Sequence, residues 1–173
     1  MITVGPRSKL RKIMSEVIVQ GAVGELQIPT ATDFEAWVHT VNAHFDGDGR
    51  EVTIRVVDEE EMAALNKTYR NKQGTTNVLS FPFENPPGVD AGILGDIVIC
   101  SKVVSDEAVQ QGKTSGSHWA HLVIHGMLHL HGLDHIEEDE AKDMESLEIE
   151  LLKTLGIANP YQLDQQDRGQ VYE

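Results

Sequence analysis

Cysteine is almost missing from this sequence. Cys100 is the only one in 173 residues, so no intramolecular disulfide can form, and a reducing cytoplasm is the expected compartment. Long apolar runs are missing too; none reaches the roughly 18 residues a membrane span needs. Arg7, Lys9, Arg11 and Lys12 are not followed by an apolar stretch of about 7–15 residues, which makes a poor secretory signal. Positive charge is scarce: 14 Lys and Arg stand against 28 Asp and Glu, for a net charge of -14. A protein that coats nucleic acid indiscriminately would be basic overall and is excluded, whereas a local basic site is not. With 40% apolar and 24% charged residues, the rest is an ordinary globular composition. A domain of this length buries roughly 70% of its unfolded-chain surface.

The patterning predicts alternating strands and helices. Residues 16–22 include Val17, Ile18 and Val19 and suit a first strand. Thr32 and Glu35 have the spacing of a capping box, which opens a helix reaching about His44. Val52, Ile54 and Val56 alternate with polar residues as in a half-buried strand. Asp58 caps a helix through Met62, Leu65 and Tyr69, with Glu61 at the box position. After a loop, residues 77–83 suit a strand at a sheet edge, where Pro82 is tolerated. Residues 93–100 form an apolar strand interrupted by Asp96, which is expected to be a hydrogen-bonded core carboxylate. Helices follow at about 101–111 and 115–130, with Gly112 and Gly132 as exits. A last helix carries Met144, Leu147, Leu151 and Leu155 as its apolar stripe and stops at Gly156. The expected fold class is α+β, a small mixed sheet flanked by helices.

Histidine is abundant. Six of the eight fall between 118 and 135. His125 and His129, four apart on a helix, lie side by side on one face, a spacing that suits two ligands of one zinc. His135 lies beyond Gly132, where the chain can turn and return a third imidazole. Three neutral histidines leave a fourth position open, which is catalytic rather than structural in character. The spacing leaves open which three act together. His118, His121, His125 and His129 all share one stripe about 16 Å long, too long for a single ion. His131 sits on the opposite face and is expected to pack or be solvated. Position 126 limits the chemistry, because zinc proteases of the H-E-x-x-H type place their general base right after the first histidine. Gly126 stands there, so peptide hydrolysis by that route is disfavoured. A phosphodiester's anionic transition state would instead want an arginine.

The segment His125-Gly126-Met127-Leu128-His129-Leu130-His131-Gly132-Leu133-Asp134-His135 closely resembles the H-G-x-L-H-L-x-G-Y-D-H signature of the YbeY family of endoribonucleases. Leu133 stands where a tyrosine is common. Leu65-Asn66-Lys67-Thr68-Tyr69-Arg70 with Thr76-Asn77-Val78-Leu79-Ser80-Phe81-Pro82 is similar to the family's other characteristic stretch. Leu94-Gly95-Asp96-Ile97-Val98-Ile99 and His118-Trp119-Ala120-His121 match as well. The resemblance covers about residues 17–161.

It implies one Zn2+ per chain, held by His125, His129 and His135 in a helix–turn motif beside the sheet. It also implies a functional role for Arg70, in the loop after a helix. Asp134, next to a ligand, is a candidate partner that orients an imidazole. The implied activity is zinc-dependent, single-strand-specific RNA cleavage in 16S rRNA 3′ end maturation and late-stage 70S ribosome quality control. The implied partners are ribosomal RNA, the small ribosomal subunit and assembly factors, in the cytoplasm, without DNA or membrane. Residues 16–162 are then a single metallo-endoribonuclease domain between tails at 1–15 and 163–173. Two other readings use the same motif: a zinc-dependent amide or peptide hydrolase, and a non-catalytic ribosome assembly factor with structural zinc.

The distribution of charge bears on this choice. Residues 137–150 hold eight acids against one lysine, the expected solvated helix face. Residues 62–83 hold Lys67, Arg70 and Lys72 with no acid, and residues 108–133 hold Lys113 with no acid. The two stretches that carry the motifs are thus the least acidic parts of an acidic chain, as a locally positive cleft for phosphate requires.

Overall fold

A computed structural model describes residues 16–21, 27–134 and 136–161. The expected tails and His135 lie outside the described residues. Four strands, β1 (Val17–Gln20), β2 (Glu51–Val57), β3 (Val78–Pro82) and β4 (Ile93–Cys100), form one sheet in the order β1-β2-β4-β3. β1 and β4 run parallel to β2, and β3 returns antiparallel to β4 at the edge. Among the described residues, five helices accompany them: α1 (Ala31–His44), α2 (Glu59–Arg70), α3 (Ser101–Gln110), α4 (Ser115–Leu130) and α5 (Glu138–Thr154).

The apolar run of β4 reflects burial on two faces. Ile97 and Ile99 join Val52, Ile54 and Val56 in the larger core, against Phe34 and Val38 of α1, Ile124 and Met127 of α4, and Leu152 of α5. Val98 and Cys100 point the other way and meet Met62 of α2, together with Val57 and Leu79. Nearly every side of α4 is buried, which explains why its sequence is apolar almost all round. It runs through the middle of the fold, and its histidine stripe is carried with it.

Local signals place most element ends. Thr114 caps α4 by accepting from Ser117 N at 3.2 Å, and Asp58 caps α2 by accepting from Glu61 N at 2.8 Å. Three expectations need correction. The box on α1 is Thr30 with Asp33, each side chain bonding the other's backbone N–H, two residues before the expected Thr32. Arg70 is the last residue of α2, with Asn71 as its left-handed cap, rather than a loop residue. Asp96 is exposed, not a core carboxylate. It shares a face with Val98 and Cys100, but α2 packs over only their end of the strand.

α4 can approach the sheet because position 126 has no side chain. A Cβ there would lie 3.0 Å from Ile97 Cγ2 and 3.1 Å from Ser80 Oγ. Gly126→Val is expected to lower unfolding free energy by about 2 kcal/mol, the usual cost of overpacking. Urea denaturation measures this, and parental stability would mean that the helix shifts away from β3 and β4 without cost.

Candidate metal and phosphate site

The C-terminal half of α4, the turn after it, β3 and the end of α2 enclose a cleft of about 680 Å³. His125, His129, Arg70, Lys72 and Asp134 are among its lining residues. Arg70 and the histidine pair are far apart in sequence. They meet because the edge strand β3 lies between α2 and α4. The Arg70 guanidinium reaches the Ser80 carbonyl of β3 at 3.4 Å.

The four histidines of the stripe separate by their partners. His118 Nε2 faces Glu107 Oε1 at 3.2 Å. His121 Nε2 faces Glu148 Oε2 at 3.0 Å and the Tyr161 hydroxyl at 3.2 Å. His125 and His129 turn their Nε2 atoms towards each other, 3.1 Å apart. Their other nitrogens have acceptors: Glu148 Oε1 lies 2.5 Å from His125 Nδ1, and the Leu133 carbonyl lies 2.9 Å from His129 Nδ1. With Nδ1–H donating in each ring, the neutral imidazoles aim two Nε2 lone pairs at one point. Two acceptors so close repel unless a proton or cation lies between them. A tetrahedral zinc with bonds of roughly 2.0–2.1 Å spaces its ligand nitrogens about 3.3 Å apart, close to the observed separation. The pair therefore fits a metal chemically and geometrically. Among the described residues no three His, Cys, Asp or Glu side chains form a metal-binding group, and His135 is outside them.

The turn after α4 sets the orientation of His129. Gly132 adopts φ +93°, a conformation that costs a side-chain-bearing residue more. It lets Leu133 N bond back to Leu128 O at 3.0 Å while the Leu133 carbonyl meets His129. At position 133 the contact comes from the backbone, which any residue supplies. His131 stacks on Phe45 at 4.0 Å and meets Asn42 Oδ1 at 2.8 Å. Burial pushes its pKa down, as suits a neutral packing histidine.

Glu148 is one of the eight acids that the sequence places on a solvated face, and the structure departs from that expectation. The residue is 0% exposed, bonded to His121, His125 and the Tyr161 hydroxyl. Burial alone would raise its carboxyl, yet hydrogen bonds from His121 and His125 outweigh that and hold it at about 2. The signal was present: Glu148 lies four residues after Met144 and three before Leu151, on the stripe that α5 buries. Asp134 is exposed at the cleft wall. The contacts that orient His125 and His129 come from Glu148 and the Leu133 carbonyl.

Comparison with known proteins gives the family and the fold. The family model for endoribonuclease YbeY matches residues 24–156. A solution structure of TM1509 from Thermotoga maritima is similar at a TM-score of 0.53 and 22% identity, covering 80% of this chain and 91% of that one. That likeness is one of fold.

The carboxylates that meet the histidine stripe, buried Glu148 and half-buried Glu107, each give a stability prediction. Glu148→Ala leaves two imidazoles and a phenol without their shared acceptor. It should lower unfolding free energy by roughly 3–5 kcal/mol, the usual cost of breaking a buried charged network; a loss under about 1 kcal/mol in urea denaturation would contradict the network. Glu107 is bonded by His118 and by Asn77 Nδ2 at 3.0 Å. Burial would raise its carboxyl, but these bonds bring it below the ordinary 4.5. Its contribution to stability is therefore full above about that pH and is lost as pH falls through the lower folded value. Glu107→Gln should be less stable than the parent at pH 7, with the gap closing on acidification. A gap unchanged between neutral and acidic pH would assign the loss to packing rather than charge.

Proposed function

We propose that this chain, which belongs to the YbeY endoribonuclease family, cleaves single-stranded RNA at a zinc site formed by His125, His129 and His135, with Arg70 holding the scissile phosphate. Family membership supports the coarse statement, an RNA-cleaving hydrolase of ribosomal RNA processing. The observation that carries the finer reading is that Arg70 and the paired Nε2 atoms of His125 and His129 line one cleft. A phosphodiester in that cleft meets a fixed cation on one side and the histidine pair on the other.

The Arg70 guanidinium offers two parallel N–H donors to the phosphate oxygens, the bidentate geometry that a lysine cannot provide. Charge that builds on those oxygens in the transition state is stabilised where the donor already stands. Glu148 and the Leu133 carbonyl accept the Nδ1 protons, which keeps both Nε2 atoms available on the cleft side. His135 is the third donor that the motif supplies, and Asp134 beside it is a candidate to orient that ring. The chemistry a zinc ion supplies when bound is Lewis-acid activation of water or of a phosphoryl oxygen. Lys72, at the cleft wall, adds attraction for the backbone.

We place the activity in the cytoplasm, in 16S rRNA 3′ end maturation and late-stage 70S quality control, with the small subunit and assembly factors as partners. No helix of the described residues is long and apolar enough to cross a membrane. The charge distribution supports weak, salt-sensitive binding to bare RNA, because phosphate contacts release counterions and are few here.

Incubation of the purified protein with single- and double-stranded RNA, with and without chelator, tests the reading. Cleavage of the single strand alone, abolished by chelator, is the expected result; cleavage indifferent to chelator refutes the metal assignment. Arg70→Ala should retain zinc and lose about 10²–10³-fold in rate, the usual cost of one transition-state donor; an unchanged rate removes Arg70 from the mechanism. His129→Ala should lose zinc by metal analysis, and a fully loaded variant would refute the ligand assignment.

A further inference from the structure

Beside the cleft lies an aromatic surface that neither the metal site nor Arg70 uses. Tyr69 directly precedes Arg70 at the end of α2 and is 63% exposed. Its ring rests on Phe81 of β3 in an edge contact, with centroids 5.1 Å apart and planes at 66°. Phe81 is itself packed against the smaller core of Val57, Met62, Leu79, Val98 and Cys100, so the tyrosine is buttressed from beneath. Phe83 follows two residues on, which places it on the same face as Phe81. It keeps the strand pairing through its N–H to the Leu94 carbonyl at 3.0 Å and is 41% exposed.

The surroundings select the occupant. A lone exposed aromatic ring is ordinary. This one stands among Lys67, Arg70 and Lys72 in a segment, 62–83, that itself holds no acid; the exposed acid on the same face is Asp96, paired with Phe81 across β3 and β4. The acids of α2, Glu59, Glu60 and Glu61, are in its first turn, about 12 Å from Tyr69 at 1.5 Å per residue. The loop beyond α2 is pinned by Asn66 Nδ2 to the Gly74 carbonyl at 3.0 Å. It presents Gln73 and Thr75 to the cleft, uncharged groups able to meet base edges. Aromatic faces beside a row of cations are the chemistry of single-stranded nucleic acid, whose bases are free to stack while its phosphates are neutralised. A duplex hides its base faces and leaves such a platform idle.

We infer that Tyr69, backed by Phe81 and extended by Phe83, is a stacking platform for an unpaired base next to the phosphate held by Arg70, and so gives the site its preference for single strands. The inference rests on the RNA-cleaving reading above and adds the group that separates single strand from duplex. Arg70 on the Ser80 carbonyl and Tyr69 on Phe81 are successive pairs along the same strand. A nucleotide that offers its phosphate to Arg70 therefore presents its neighbouring base to the tyrosine.

The test uses the metal-loaded full chain, a fluorescent single-stranded oligoribonucleotide, the same strand with abasic positions, and its duplex. Binding is read by anisotropy on ice, within a time too short for measurable cleavage, and a gel of each sample confirms that the strand is still intact at the reading. Tyr69→Ala is expected to weaken single-strand binding about 5- to 100-fold, and Tyr69→Phe to stay within about twofold of the parent. The parent should bind the abasic strand as weakly as Tyr69→Ala binds the normal one, and the duplex affinity should be equal for all three proteins. In cleavage, Tyr69→Ala should raise KM with little change in kcat. Circular dichroism melts establish that the variants are folded. Unchanged single-strand affinity in Tyr69→Ala, or an equal loss on single strand and duplex, overturns the platform while leaving cleavage at the histidine site untouched. Failure of the parent to cut any RNA sinks the underlying reading instead, so the two failures are told apart.

Discussion

A carboxylate with no exposure to water must be answered by donors, and around Glu148 those donors define the site. Its two oxygens collect His121, His125 and Tyr161, which ties α5 to α4 and to the segment after α5. An ionised group in such a place costs several kcal/mol unless well paired. The helices therefore cannot slide past one another without stranding charge. The same bonds decide which nitrogen of His125 carries a proton and which faces the cleft. Helix packing and site chemistry thus depend on one residue. The apolar stripe of Met144, Leu151 and Leu152 brings α5 against α4, and Glu148 fixes where along α4 it stops.

The charge excess of the chain takes on a different meaning once the fold is known. Seven of the eight acids between 137 and 150 are exposed and one is buried, so the same helix supplies both a repulsive surface and the anchor for a histidine. The cleft carries Arg70 and Lys72 against Asp134. Nonspecific contact of RNA with the rest of the surface is disfavoured, and attraction is confined to the cleft. An acidic protein with a small cationic cleft gains selectivity by having little positive charge elsewhere.

Much of the fold was legible because its signals are local. The span of α4, the exits at Gly112, Gly132 and Gly156, the edge position of Pro82 and the α+β class all follow from periodicity, capping and turn chemistry. The pairing of His125 with His129 was legible as a spacing. The remainder depends on what lies opposite a residue, which periodicity does not report. Asp96 looked like a core residue because its neighbours are apolar, but the cover over it ends one residue pair away. Thr32 and Thr30 compete for the same cap, each with an acid three residues on, and it is Thr30 with Asp33 that makes the reciprocal bonds. Glu148 is hidden by composition: in a run of acids, the sum of charge conceals the phase of each residue on the helix. The four histidines of one stripe are equivalent by spacing and become distinct through Glu107 and Glu148, which reach three of them from other helices, and through the Leu133 carbonyl, which meets His129.

Position 126 bears most directly on the choice among the readings. A hydrolase that attacks amides through a helical histidine pair wants a carboxylate beside the first histidine, on the cleft side. Here that position faces the sheet, against Ile97 and Ser80, so a glutamate would be buried in the core rather than presented to a substrate. The space a base would need is taken by helix–sheet packing. The cations the cleft does offer, Arg70 and Lys72, complement an anionic substrate and have no evident role for a neutral amide. A merely structural zinc would need neither an arginine at the cleft wall nor an open approach to the histidine pair. The packing that excludes one chemistry and the charge that favours another both converge on β3, whose inner face accepts Gly126 and whose outer edge accepts Arg70.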